Sequence, residues 1–228
     1  MRKVTLGTTY YNCPDLLREF VDRNIEYVDE LIVVDDGSKD PAQTYLNPHP
    51  KIRLFIVEKD LGFNSHGCRN LIMSQTFNPW VVLIDIDREF EDPQYTFESI
   101  KTRKLKEDVR YRFQAHLGKW GRNVHPSVND YLINKKLFFQ AGGYDEEIVG
   151  ERWGDRHFFK QLLSSGGKEL FLQDLNLRLM REPTIRMKNN KLILGSENKQ
   201  THVELIEKRI ISPQQNKPIL CFDWHEAT

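Results

Sequence analysis

The sequence predicts an α/β chain on a mixed, mostly parallel, Rossmann-like sheet flanked by helices. Three observations predict it. Short apolar runs alternate with helix-spaced stretches through the first hundred or so residues. Two of these runs, residues 31–34 and 80–84, are apolar throughout, as strands buried on both faces are. Both lead into acid, Asp35-Asp36 and Asp85-Ile86-Asp87. In open α/β sheets ligands bind outside the carboxyl ends of the strands, so the acids fall where chemistry is displayed.

Taken in order, residues 3–9 form the first strand. Residues 14–27 carry Leu16, Leu17, Phe20, Val21 and Ile25 at helical spacing, with Asp15 near the positive end of the dipole. Strands at 31–34, 52–57 and 80–84 follow, with a helix over 64–76 after the Gly62 turn. Residues 94–108 are charged and read as helical or solvent-facing. Strand and loop pieces fill 111–128, and 131–134 is a further strand. Residues 135–140 then stop at Ala141-Gly142-Gly143-Tyr144. Residues 155–165 are amphipathic through Phe158, Phe159, Leu162 and Leu163, and 170–179 holds one or two strands. Residues 187–191 read as loop and 197–209 as helix. The last fifteen or so, with Pro213, Pro218 and Trp224, read as a tail that packs on the body or orders with ligand.

Composition narrows the classes. The 228 residues hold 33 Lys+Arg against 33 Asp+Glu, which excludes broad electrostatic binding to nucleic acid or an anionic membrane and leaves only local phosphate recognition. No apolar run approaches the roughly 20 residues needed to span a bilayer. Cys13, Cys68 and Cys221 lie far apart, without metal or disulfide spacing, and Met1-Arg2-Lys3 leads straight into a strand. The expectation is a reduced, cytoplasmic chain, soluble or peripheral, with no integral membrane segment.

Four segments carry candidate chemistry. Asp85-Ile86-Asp87 offers two carboxylates to a hard divalent cation, although such a pair also serves as surface acid at a loop entry. Asp35-Asp36-Gly37-Ser38 can accept from a base imide or ribose hydroxyl, or simply make an Asp-Gly turn. Residues 62–70 run from a turn into a helix bearing Arg69, a group suited to a diphosphate, without a Walker lysine or a Gly-x-Gly-x-x-Gly pattern. Residues 142–147 and 151–157 combine Glu151, Arg152, Trp153, Asp155 and Arg156, which suits general-base chemistry at a sugar hydroxyl beside an aromatic ring. Asp155 equally suits a helix N-cap.

In this order, and with Thr8-Thr9-Tyr10-Tyr11-Asn12 and Pro14-Asp15-Leu16-Leu17 ahead of them, the segments resemble the GT-A-fold glycosyltransferases of family 2 over roughly residues 1–165. The resemblance implies a GT-A domain over residues 1–194, with a nucleotide-sugar half (1–100) and an acceptor half (101–194), then a C-terminal helix and tail (195–228). It implies Thr8, Tyr10 and Asp36 near the nucleoside, Arg69 near the diphosphate, Asp85 toward ribose or metal, and Asp87 as principal ligand of Mn2+ or Mg2+. For His157 and His202 it implies an additional metal ligand or a phosphate contact. Family members carry a Glu-Asp pair by the acceptor. Here it reads Gly154-Asp155, which makes Asp155 the candidate base and Glu151 the candidate replacement for the glutamate.

The expected activity is metal-dependent transfer of a sugar from a nucleoside diphosphate sugar, UDP foremost, to a hydroxyl of a glycan or other acceptor, with inversion. Trp120 and Trp224 are available to stack on sugar or to pack. Two rivals stand beside it. A nucleotidyltransferase or sugar-nucleotide pyrophosphorylase would need a Gly-rich basic loop where Gly7-Thr8-Thr9-Tyr10 stands. A non-catalytic nucleotide-sugar-binding module would keep binding without turnover.

Overall fold

A run of six residues with no exposed side chain, Glu30–Asp35, forms strand β2 in the interior of a parallel block. β1 (Val4–Tyr10) lies between β2 and β4 (Trp80–Leu83), and β3 (Ile52–Val57) lies beyond β2, all parallel. The register pairs Tyr10 with Asp35 and Gly7 with Leu83, so β1, β2 and β4 end at one edge. The computed structural model describes residues 1–62, 64–116, 125–146, 154–180 and 219–227, with 125–127 by backbone alone. Among these, the sheet order is β5 (Arg88–Phe90), β8 (Lys168–Leu179), β6 (Val109–His116), β7 (His125–Asn134), β4, β1, β2, β3 and β9 (Trp224–Glu226).

β7 runs antiparallel to β4 and β6, β8 is parallel to β6 and antiparallel to β5, and β9 is antiparallel on β3. The helices are α1 (Pro14–Asn24), α2 (Ser65–Gln75), α3 (Pro93–Thr102), α4 (Lys135–Gln140) and α5 (Gly154–Ser164). None of the described helices is long and apolar enough to cross a membrane.

Two cores cover the two sheet faces. Leu6, Leu17, Phe20, Val82 and Phe97 pack with α1 and α3 on one. Val34, Leu71, Ile72, Phe138 and Phe158 pack with α2, α4 and α5 on the other. Each such side chain contributes roughly 1.5–3 kcal/mol when fully buried. α2 lies so close to β1 that a Cβ at Gly7, in the middle of the strand, would collide with Ile72 in the later half of the helix.

The differences from expectation have local causes. α1 stops at Asn24 rather than 27 because the Asn24 amide turns back to donate to the Phe20 carbonyl at 2.7 Å. The charged 94–108 stretch is helical only to Thr102, starting from Asp92, whose side chain accepts from the Tyr95 N–H. Residues 168–179 are a single strand because β6 offers a partner along nearly the whole length, past a bulge at Phe113/Gln114. β5, three residues long, has no sequence signal of its own. The helix stop at Gly142-Gly143 is as expected, both in the left-handed region with φ of 91° and 68°.

Candidate functional site

The site is assembled where the first turns of α2 and α5 meet the ends of β1, β2 and β4. Arg69, on α2, is 5% exposed. One of its nitrogens donates to Asp85 Oδ1 at 2.6 Å; the other donates to Asp155 Oδ1 and to the Tyr144 hydroxyl, both at 3.1 Å. Tyr144 in turn donates to Asp155 Oδ1 at 2.7 Å, and Tyr131 Oη lies 2.7 Å from Tyr144 Oη. His66, three residues before Arg69 and therefore on the same helix face, stacks on the Tyr144 ring at 5.0 Å. Its Nε2 is 3.6 Å from Asp155 Oδ2.

The electrostatics follow from burial and pairing. Burial opposes the charge on Asp155, but Arg69, His66 and Tyr144 together hold its carboxyl down at about 2. Burial likewise opposes the Arg69 cation, and Tyr144, Asp155 and Asp85 more than offset it. Burial pushes the Tyr131 hydroxyl up to about 12 and Tyr144 well above its ordinary value, so both stay donors. The cluster is a fixed cation between two carboxylates. It is held to the sheet through Asp130, fully buried on β7, whose Oδ1 accepts the Asp85 N–H at 2.8 Å.

The two acids after β2 diverge. Asp35 binds its own loop, accepting from the N–H groups of Ser38 and Ala42 at 2.9 and 2.8 Å. Gly37 turns the chain at φ 72°, where a Cβ would meet the Asp60 backbone at 2.7 Å. Asp36 reaches the start of α2, accepting the Asn64 N–H at 2.9 Å. Its Oδ1 and the nearby strand residue's Thr8 Oγ1 are buried without a hydrogen-bond partner among the described residues. Thr8 and Tyr10 are buried at the carboxyl end of β1, and the Tyr10 hydroxyl donates to the Asp40 carbonyl at 2.7 Å.

Burial pushes the Asp36 carboxyl up to about 7, against the lowering effect of the Asn64 bond. A group raised from 3.8 to about 7 stays protonated in the fold while it ionises in the unfolded chain. Stability therefore falls as pH rises from about 4 to about 7, by roughly 4 kcal/mol. Asp36→Asn is neutral throughout. It is expected to gain on wild type between pH 5 and pH 8, by at least ~5 °C in melting temperature at roughly 2–4 °C per kcal/mol. A gap independent of pH would contradict the buried protonated state.

Asp85 and Asp87 share the turn between β4 and β5, where the Arg88 N–H donates to the Asp85 carbonyl at 3.0 Å. The Asp85 side chain is 36% exposed, and Asp87 is half-buried. Among the described residues no group of three or more His, Cys, Asp or Glu converges as a complete metal site. The pair is a partial set of hard oxygen donors, of the kind that Mg2+ and Mn2+ combine with water and phosphate oxygens. His202, Glu151, Trp120 and Trp153 lie outside the described residues. His157 is buried in α5, and Trp224 packs edge-on against Phe55 at 5.7 Å.

Several neighbours were not singled out by sequence. Tyr144 and His66 stand inside segments that carry other candidate residues, whereas Asn129 and Asp130 come to Asp85, and Tyr131 to Tyr144, only through the β4–β7 pairing. Glu146 accepts from Asn70 Nδ2 at 2.7 Å and from the N–H groups of Leu220 and Cys221 at 2.8 and 2.9 Å. It thereby ties the C-terminal strand segment to α2.

A mixed, mostly parallel sheet flanked by helices is the architecture of the GT-A glycosyltransferases. The model of Glycosyl transferase family 2 matches residues 5–159, and the chain belongs to that family. Among solved structures it is similar to mannosyltransferase PcManGT from Pyrobaculum calidifontis in complex with GDP-Man and Mn2+, at 16% identity and TM-score 0.64, over 96% of this chain and 66% of that one. It is also similar to GalNAc-T7 with UDP, GalNAc and Mn2+, at 12% identity and TM-score 0.61, over 80% and 44%. A third is TarS of S. aureus, at 14% and 0.56, over 92% and 44%. At these identities the likeness is one of fold, and this chain spans less than two thirds of each neighbour. Comparison with curated proteins by sequence finds no match.

Proposed function

We propose that this chain transfers a sugar from a nucleoside diphosphate sugar to an acceptor hydroxyl, with UDP as the first donor nucleotide to test and inversion at the anomeric carbon. The observation that carries the reading is Arg69, a buried guanidinium held between Asp85 and Asp155 at the carboxyl edge of parallel strands. A planar cation with a fixed fork suits a diphosphate. The family membership and the neighbours solved with UDP or GDP-Man support it.

In this reading Asp36 and Thr8, with their unsatisfied buried oxygens, serve the nucleoside, and Tyr10 supports them from within the sheet. Asp87 and Asp85 would hold Mn2+ or Mg2+, with His202 as a candidate third ligand, and the cation supplies neutralisation of charge on the leaving diphosphate. Arg69 binds the same group. Asp155 takes the proton of the attacking hydroxyl, with Glu151 as the further candidate on the acceptor side. A diphosphate competes with Asp155 for Arg69, and each hydrogen bond surrendered raises the proton affinity of the carboxylate from its low resting value.

That low value favours one alternative, a module that binds nucleotide sugar without turnover, since a carboxyl at about 2 is a weak base. A transfer assay separates the two. With Mn2+, a panel of UDP-, GDP-, CDP- and ADP-sugars should include one from which the chain releases nucleoside diphosphate on adding glycan acceptors. Binding without release from any of them would establish the module, and neither binding nor release would remove both readings.

A further inference from the structure

Position 154 is a glycine at the first residue of α5, in a turn where its φ lies outside the left-handed region, so backbone conformation does not require it. Space does. A Cβ there would overlap the His66 imidazole, 2.5 Å from Nε2 and 2.6 Å from Nδ1. His66 is 3% exposed, stacks on Tyr144 at 5.0 Å and faces Asp155 Oδ2 at 3.6 Å. The Asp155 carboxylate is therefore hydrogen-bonded at Oδ1 by Arg69 and Tyr144 and faced at Oδ2 by His66 Nε2, 3.6 Å away.

We infer that His66 is the positioning residue of this site: its imidazole fixes the orientation of Asp155 from the Oδ2 side, and Gly154 is what admits it. The inference rests on the reading of the chain as a glycosyltransferase with Asp155 at the acceptor. It also explains the Gly154-Asp155 pair, because the imidazole fills the volume that a side chain at 154 would take. Arg69 is shared with Asp85 and, in that reading, with the diphosphate, whereas His66 faces Tyr144 and Asp155. His66 is then the group that keeps Asp155 in place when Arg69 turns to the donor. A carboxylate free to change rotamer would lose near-attack geometry, and a misplacement of about 1 Å costs on the order of 100-fold.

The test uses the full chain and two matched variants, with a stability cycle beside them. His66→Phe keeps a ring on Tyr144 and removes the nitrogen facing Asp155; His66→Gln keeps a donor near the Nε2 position and removes the ring. His66→Phe should bind UDP with Mn2+ within threefold of wild type and lose at least ~10-fold in kcat, with KM for the donor unchanged, and His66→Gln should recover a large part of that loss. Equal turnover of His66→Phe and wild type would overturn the positioning role, as would equal losses in both variants. In the cycle, Gly154→Ala should lower the melting temperature, and His66→Ala should relieve most of that loss in the double variant. Additive losses would overturn the claim that Gly154 serves the imidazole. A wild type that binds no nucleoside diphosphate overturns the glycosyltransferase reading itself, and this inference with it.

Discussion

Arg69→Met is expected to lower stability by about 3–5 kcal/mol, because it removes the only cation that reaches Asp155 Oδ1 among the described residues and leaves a 7%-exposed carboxylate without its charge partner. For a chain of this size that is roughly 6–20 °C in melting temperature. The pH dependence has a definite sign. Asp155 is depressed from 3.8 to about 2, so its share of the stability is present above pH 4 and is lost as pH falls toward 2. The gap between wild type and variant should narrow over that window. Arg69→Lys restores charge but not the fork, and should recover part of the stability and less of the binding. UDP affinity should fall about 10- to 100-fold in Arg69→Met, the loss of one or two charged hydrogen bonds, against less than threefold for uridine. Thermal unfolding and calorimetry check both halves. A variant melting within about 2 °C of wild type would contradict the cluster as described.

Asp155→Asn should leave UDP affinity within threefold and reduce kcat by about 10²- to 10⁴-fold, the usual contribution of a positioned base. Asparagine preserves shape and still accepts from Arg69 and Tyr144 through its amide oxygen, so a folding defect is not expected to account for the loss. Single-turnover measurements with donor prebound separate this from slow product release. Turnover near wild type would remove the base from Asp155 and return attention to Glu151.

Most of the parallel block was legible in the sequence, and for a physical reason. Strands buried on both faces must be apolar throughout, and residues 31–34 and 80–84 are. The helix over 64–76 was legible too, although its near-complete burial was not, since it depends on Gly7 letting α2 approach β1. β5 and the antiparallel half were harder. Three residues hold no period, and the length of β8 is set by its neighbour β6. At the site, Asp36, Arg69, Asp85, Asp87 and Asp155 could be named because acids at strand ends and an arginine near a helix start are local patterns. Asp130 and Tyr131 could not, because nothing local distinguishes them from other strand residues, and their role arises when β7 pairs with β4. His66 and Gly154 are 88 positions apart in the sequence. Their fit is a property of two helix starts meeting, which no single segment encodes.

In the proposed reading, the strand tips bind a nucleoside diphosphate through a divalent cation held at the Asp85–Asp87 turn. Calorimetric titration of UDP into the wild-type chain and Asp87→Ala, each with and without Mn2+, tests it most directly. Binding that requires Mn2+ and is lost in Asp87→Ala, in a variant that still unfolds cooperatively in the absence of nucleotide, is the expected result. The same UDP affinity with and without Mn2+, or an Asp87→Ala variant that binds UDP–Mn2+ as wild type does, would contradict it.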